Sequence, residues 1–182
     1  MQSERIRDPG HPLFREAMAL YRQSFPPHEQ RLIRSQEEIL RNSAYHFDVI
    51  SDDGTFIGMI LYWEIAGFLY IEHFCILPEK RNRHYGQRIL GSLGGRPLIL
   101  EIDPPSDAIS VRRRGFYERC GFAENPYPHV HPPYHPGNPG HPLVVMSAPR
   151  VLTPQEYDTF ACYLRDTVMH DAWREAENGE AE

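Results

Sequence analysis

The stretch from Ile76 to Arg88 (Ile-Leu-Pro-Glu-Lys-Arg-Asn-Arg-His-Tyr-Gly-Gln-Arg) constrains this chain more than any other. An apolar run, Phe68 to Leu77, stops at Pro78. A basic turn follows and closes on Gly86, and Ile89-Leu90 then open a helical stretch. A strand that ends in a cationic turn and a helix start forms an anion cradle. The first N–H groups of a helix have no internal partner, and the helix dipole adds partial positive charge there. A ligand phosphate would meet those amides together with Arg81, Arg83 and Arg88. The first expectation is therefore a phosphate-bearing cofactor docked on this turn.

The chain has 182 residues, enough for one domain with its own core. That domain is expected over residues 1–172, with an acidic, frayed tail at 173–182. No apolar stretch approaches the roughly 20 residues a membrane span needs. Met1 to Gly10 is charged, unlike a secretory signal. The formal net charge of -6 argues against a general nucleic-acid binder and suits a cationic or neutral substrate. Cys75, Cys120 and Cys162 are too few and too scattered for a disulfide framework or a cysteine-only zinc site. A reducing cytoplasm is the expected compartment.

Along the chain, Leu13 to Phe25 carries apolar residues at helical spacing, and Pro26-Pro27 ends that helix. Ser35-Gln36-Glu37-Glu38 matches a capping box that would open a second short helix to about Asn42. Three antiparallel strands follow at His46–Ser51, Thr55–Glu64 and Phe68–Leu77, joined by turns at Asp52-Asp53-Gly54 and Ala66-Gly67. After the cationic turn come a helix from Gly86 to about Leu93, a buried strand at Pro97–Asp103 and a helix at Ala108–Cys120 capped by Gly121. The stretch Asn125 to Pro142 is dense in proline, glycine and histidine and reads as loop or irregular edge strand. A last strand is expected at Leu143–Ser147. Thr153-Pro154-Gln155-Glu156 then opens a terminal helix to about His170.

This element order, with two motifs, resembles the GNAT superfamily of acyl-CoA-dependent N-acetyltransferases. The family's phosphate turn, R/Q-x-x-G-x-G/A after a strand ending V-x-P, is matched by Ile76-Leu77-Pro78 and Arg81-Asn82-Arg83-His84-Tyr85-Gly86, with His84 where the first glycine is usual. The family's helix N-x-x-A-x-x-F-Y-x-x-x-G-F is matched by Ser110 to Phe122. Its Phe116-Tyr117 and Gly121-Phe122 pairs are in place, with Ser110 for Asn and Arg113 for Ala. The resemblance implies a mixed α/β (α+β) fold: a mainly antiparallel sheet flanked by helices, with its central strands splayed. It implies that the pantetheine arm pairs with backbone at Phe74, Cys75 and Ile76. The pyrophosphate would lie on Arg81, Asn82, Arg83, His84, Tyr85, Gly86 and Gln87, with Ser110 and Arg113 nearby. It also implies direct attack of an amine on the thioester, with both substrates bound.

Such a reaction must take a proton from the attacking ammonium and can give one to the departing thiolate. Glu72 is the candidate base. It sits mid-strand among apolar residues, where desolvation would raise its pKa; the alternative is a structural pair with an arginine. His73 falls on the opposite face by strand alternation and reads as a core histidine. Tyr117 occupies the family's thiolate-protonating position; otherwise it is a core aromatic. Cys75 and Cys120 read as small buried hydrophobes, so a covalent cysteine mechanism is not expected.

By the same resemblance, Phe25, His28, Glu29, Tyr62, His129, His131 and Tyr134 would line the acceptor pocket, with Glu64 also within reach. His129 and His131 share a face if extended. An H-x-H pair with a third histidine could hold zinc, but with no cysteine or carboxylate beside it in sequence no metal site is expected. The resulting expectation is an N-acetyltransferase that moves an acetyl or short acyl group from acetyl-CoA to a small amine. It would act as a monomer or homodimer, with no nucleic-acid or membrane partner. The alternatives are a protein or peptide amine as acceptor, and a non-catalytic CoA-binding sensor.

Overall fold

A computed structural model describes residues 1–65, 67–170 and 172. The tail from Trp173, expected to fray, lies outside the described residues, as does Ala66 of the second turn. The chain opens with β1 (Gln2–Ile6), α1 (Phe14–Ser24) and α2 (Ile33–Ile39), then forms β2 (Tyr45–Asp52), β3 (Thr55–Ile65) and β4 (Phe68–Ile76). It continues through α3 (Tyr85–Ser92), β5 (Leu98–Ile102), α4 (Ala108–Arg119) and β6 (Ala123–Glu124). The short strands β7 (Val130–His131) and β8 (His141–Pro142) precede β9 (Val144–Ala148) and α5 (Pro154–Tyr163). Seven strands make one sheet in the order β1-β2-β3-β4-β5-β9-β6, and β7 and β8 pair separately. Among the described residues no helix is long and apolar enough to cross a membrane.

Local chemistry explains most boundaries. Phe25, held extended by Pro26, closes α1. Asp53 and Gly54 both adopt positive φ, 48° and 73°, the geometry of a tight hairpin turn. The Asp107 carboxylate accepts from Ile109 N and Ser110 N at the start of α4. At α5, Thr153 and Glu156 form the expected reciprocal box. Each cap of this kind is worth about 1 kcal/mol.

Two expectations need correction. α2 starts at Ile33, so Ser35 lies inside the helix, buried, and makes no N-terminal cap. Strand β1 had no counterpart in the sequence-based reading. Its residues are polar and only Ile6 is buried, so an outer strand held by pairing with β2 carries almost no alternating signal.

Helices cover both faces of the sheet. Phe14, Met18 and Tyr21 of α1 pack with Phe160 of α5 against Phe47, Met59 and Trp63 on one side. On the other side, Ile89 and Leu90 of α3 pack with Ile60, Leu100 and Met146, and Phe116 and Tyr117 of α4 lie against them.

Two features of the sheet create the site. β4 and β5, the one parallel pair among the described residues, are in register only at Leu69–Leu98, Tyr70–Ile99 and Ile71–Leu100. Beyond that point β4 still pairs with β3 as far as Ile76, so its other backbone edge faces a gap. The second feature is a bulge. Leu61 opposes His73 and Tyr62 opposes Ile71, which leaves Glu72 without a partner on β3. A bulge interrupts the alternation of side chains.

Candidate active site

The gap between β4 and β5 widens into a cavity of ≈ 1620 Å³. Small-molecule pockets run roughly 300–1,000 Å³, so this one has room for two ligands at once. Its two ends differ in charge. One end is walled by Lys80, Arg81, Asn82, His84, Gly86 and Gln87 after β4, with Arg112, Arg113 and Arg119 from α4. The other presents Glu29, Glu72, Glu101 and Asp103 with His28, His73, His131, His141, Phe25 and Tyr134.

At the basic end, α3 begins immediately after His84, whose φ of 61° is left-handed; Asn82 shares that φ. His84 therefore adopts the conformation for which a glycine would serve without strain. His84→Gly is expected to raise stability by about 1 kcal/mol, from lost strain less the added freedom of the unfolded chain. A higher urea midpoint would bear this out; a lower one would mean that the imidazole makes a compensating contact. Gly86 has a different requirement. A Cβ there would meet Phe116 Cζ at 2.9 Å, so the glycine lets α3 close on the Phe-Tyr pair of α4.

Three expected phosphate contacts do not line the cavity. Arg83 is exposed outside its wall. Arg88 lies 3.8 Å from Asp52 and over the Tyr85 ring. Ser110 is buried, and its hydroxyl accepts from Asp107 N, completing the α4 cap. Of the arginine run in α4, Arg112 and Arg113 face the cavity, while Arg114 turns to Glu118 and Glu124.

Glu72 does not have the environment expected of it. Its side chain is 0% exposed, as is that of Arg31. Arg31 Nε donates to Glu72 Oε1 at 3.0 Å, with Nη2 also 3.0 Å away. Tyr134 Oη donates to the same oxygen at 3.1 Å, and Trp63 Nε1 donates to Oε2 at 2.7 Å. Burial alone would raise the pKa, but Arg31, His73 and the Trp63 hydrogen bond bring it below the ordinary carboxylate value. The raised pKa is thus corrected to a lowered one, and both oxygens are already occupied by donors.

The expected alternation of Glu72 and His73 is also corrected. At the bulge His73 Nδ1 lies 4.0 Å from Glu72 Oε1, and both residues wall the cavity. His73 is held edge-on by Tyr21 and Phe25. Its Nε2 contacts Glu29 O at 3.0 Å; a carbonyl can only accept, so Nε2 carries the hydrogen. Desolvation lowers the His73 pKa to about 4, so the ring is neutral and Nδ1 holds a lone pair. That atom is buried without a hydrogen-bond partner.

His131 presents a mirror arrangement. Its Nδ1 donates to Pro132 O at 2.5 Å, and its Nε2 is buried without a hydrogen-bond partner, 3.9 Å from Glu101 Oε2. The Tyr134 ring stacks on His131 and tilts against His73. Two imidazole nitrogens without hydrogen-bond partners therefore flank the acidic end of the cavity.

Glu101 was missed in the sequence, although it has the same signature as Glu72, a lone carboxylate in a buried strand. Tyr70 Oη donates to it at 2.5 Å, and His129 contacts its other oxygen. Burial pushes its pKa up, but His131, His129 and Tyr70 together bring it below the ordinary value. His129 and His131 share a face, as expected, and both point at this carboxylate. His129 nevertheless sits behind the wall, against Tyr157, and does not line the pocket.

Tyr62 and Glu64 also fall outside the acceptor end. Tyr62 stacks on His46, and Glu64 pairs with Arg96 and His46. Phe25, His28, Glu29, His131 and Tyr134 do line it.

Tyr117 lies half-buried in the wall between the two ends. Desolvation raises its pKa to about 12, so the hydroxyl keeps its proton. Cys75 is buried and its thiol is pushed up to about 11, which makes it a poor nucleophile.

A cleft opened by one parallel strand pair, with a cationic turn and helix start at its mouth, defines a site for acyl transfer from a coenzyme A donor. The family model described as Acetyltransferase (GNAT) family matches residues 11–122, and the chain belongs to that family. It is an acyltransferase. No curated protein sequence matches it. Among solved structures, a GNAT-family protein from Bacteroides thetaiotaomicron shares 31% identity at a TM-score of 0.87, covering 93% of this chain and 98% of its own. An aminoglycoside 6'-N-acetyltransferase complexed with coenzyme A shares 17% identity at a TM-score of 0.56, covering 81% of this chain and 96% of its own. The ribosomal-protein-S18-alanine N-acetyltransferase of Escherichia coli shares 16% identity at a TM-score of 0.54, covering 85% of this chain and 96% of its own. These last two likenesses are of fold.

Proposed function

We propose that this protein transfers an acetyl group from acetyl-CoA to the amine of a small, cationic molecule, with both substrates bound together. One observation carries the proposal: the cavity is basic where a pyrophosphate would lie, and acidic, aromatic and histidine-lined where an acceptor would lie. The open edge of β4 at Phe74–Ile76 offers main-chain groups to a pantetheine arm. Arg81 and the first amides of α3 offer the phosphate cradle, with Arg112 and Arg113 opposite.

At the other end, the negative charge of Glu101 favours an ammonium. Glu72 is neutralised by Arg31, so its part is to fix Trp63 and Tyr134 and to hold the bulge. His131 Nε2 is the proton acceptor for the incoming amine, and the imidazolium that forms gains from Glu101 at 3.9 Å. Tyr117 donates its proton to the departing CoA sulfur. The loop from His131 to His141 covers the acceptor end, which favours a compact amine over a folded protein surface. Residues 1–172 act as one unit. The free thiols Cys75, Cys120 and Cys162 suit a reducing cytoplasm.

Thiol release from acetyl-CoA, followed over a panel of diamines, arylalkylamines, amino sugars, amino acids and peptide N-termini, tests this reading. Turnover with compact cationic amines and not with peptides is the expected result. Turnover confined to peptides would reverse the choice of acceptor.

A further inference from the structure

The acceptor mouth brings together three donor groups for which the proposed reaction has no use. Pro27–Glu29 forms a single 3-10 turn after α1, and it presents His28 and Glu29. His141 arrives from β8, more than a hundred residues later in the chain. His28 Nε2 lies 3.6 Å from Glu29 Oε1, and His141 Nδ1 lies 3.7 Å from the same oxygen. All three donor atoms fall within 4.8 Å of one another. These separations are too long for hydrogen bonds. They are close to the edge of a tetrahedron around a metal bound at about 2.0–2.2 Å, which is roughly 3.4 Å.

A second observation comes from behind His141. Its other ring nitrogen, Nε2, lies 3.5 Å from Asp103 Oδ1, and Asp103 is held in turn by Arg113 at 2.6 Å. A metal-bound histidine typically gives its second N–H to a carboxylate, which fixes the ring and its tautomer. His141 has that partner in place. The backbone of Glu29 is fixed as well, through the His73 contact to its carbonyl. The turn and the loop are further tied by His135, which donates to Pro27 O at 2.9 Å.

We propose that His28, Glu29 and His141 bind one zinc-class divalent cation at the mouth of the acceptor pocket, with Asp103 orienting His141. Two imidazoles and one carboxylate suit zinc and its transition-metal neighbours and not magnesium or calcium, which prefer all-oxygen sites. Three protein ligands leave a fourth position, which opens on the cavity. The cation would pin the turn after α1 to the β8 segment and so hold the acceptor pocket closed along one side. This set is not legible in the sequence, because the ligands come from two distant segments and the histidine-rich loop supplies only one of them.

The test is calorimetric titration of zinc chloride into chelator-treated, dialysed protein, repeated with magnesium chloride, alongside thermal unfolding with and without zinc. One equivalent of zinc should bind and raise the unfolding midpoint, and magnesium should do neither. His28→Ala and His141→Ala should each abolish that binding while unfolding at the wild-type midpoint without metal. Asp103→Asn should weaken it about 10- to 100-fold. Absence of zinc binding, or equal binding by both histidine variants, would overturn the proposal. Because the readout is metal binding, it stands or falls independently of the acceptor panel.

Discussion

Glu72→Gln should unfold far more readily than the parent and should leave the pH profile of any remaining turnover where it was. The parent carboxylate faces Arg31 at 3.0 Å with neither side chain exposed. A glutamine keeps the shape but has one oxygen to offer and turns an amide N–H toward Arg31 or Trp63. Arg31 still donates to Val168 O at 2.5 Å and lies over the Trp63 and Tyr134 rings, so it cannot swing out to water. Removing one partner of a buried ion pair costs about 3–5 kcal/mol, because the surviving charge is left uncompensated. In a chain of this size that lowers the unfolding midpoint by on the order of 10 °C.

The pair also sets a pH dependence. The Glu72 carboxyl titrates below its ordinary value of 4.5 in the folded protein. Its contribution is therefore complete above about 4.5 and is lost as pH falls through the lower, folded-state value. Glu101 acts in the same direction. Acid unfolding should steepen below about 4.5 in the parent, and Glu72→Gln should flatten that limb. The double variant Arg31→Met with Glu72→Leu should recover much of the loss, since an apolar pair of similar volume often replaces a buried ion pair at little cost. A Glu72→Gln protein of parental stability whose turnover had a shifted pH optimum would restore Glu72 as the base.

The sequence marked Glu72 as exceptional and left two readings open, a base or a structural partner of an arginine, without showing which arginine. A charged residue inside Phe68–Ile76 is visible as a break in an apolar run. Its partner Arg31 lies 41 positions earlier in an irregular segment with no periodicity. The bulge that turns Glu72 and His73 toward the same cavity is a property of register between β3 and β4, and apolar residues on both strands hide any offset. By contrast the cationic turn, the α5 capping box and the hairpin at Asp53-Gly54 are local. Each depends on residues within a few positions, and each appears where the pattern put it. The acceptor end is the least legible part. Glu101 and Asp103 come from the β5 segment and His141 from β8, segments joined only by the fold, and Tyr62, assigned there by the family resemblance, stacks on His46 instead.

The two proton transfers predict opposite pH signatures for two variants. His131→Gln removes the imidazole nitrogen that has no hydrogen-bond partner, while leaving Glu101 with Tyr70 and His129 as donors. Near neutrality an alkyl ammonium, with a pKa of about 10, must be deprotonated on the enzyme, and loss of a positioned base costs about 10²- to 10⁴-fold. The deficit should shrink as the solution itself supplies free amine at higher pH. Tyr117→Phe acts on the other side of the reaction. The CoA sulfur is a fair leaving group, since an ordinary thiol titrates near 8.5, so the loss should fall at the low end, about 10²-fold. It should not be relieved by raising pH, because the parent hydroxyl holds its proton to about 12. Its folding stability should barely move, as the hydroxyl has no hydrogen-bond partner among the described residues. Steady-state rates for both variants across pH 6 to about 10 separate the roles. A His131→Gln deficit that stayed constant with pH would make the imidazole a packing element under Tyr134, and parental turnover in Tyr117→Phe would leave the thiolate to depart unassisted.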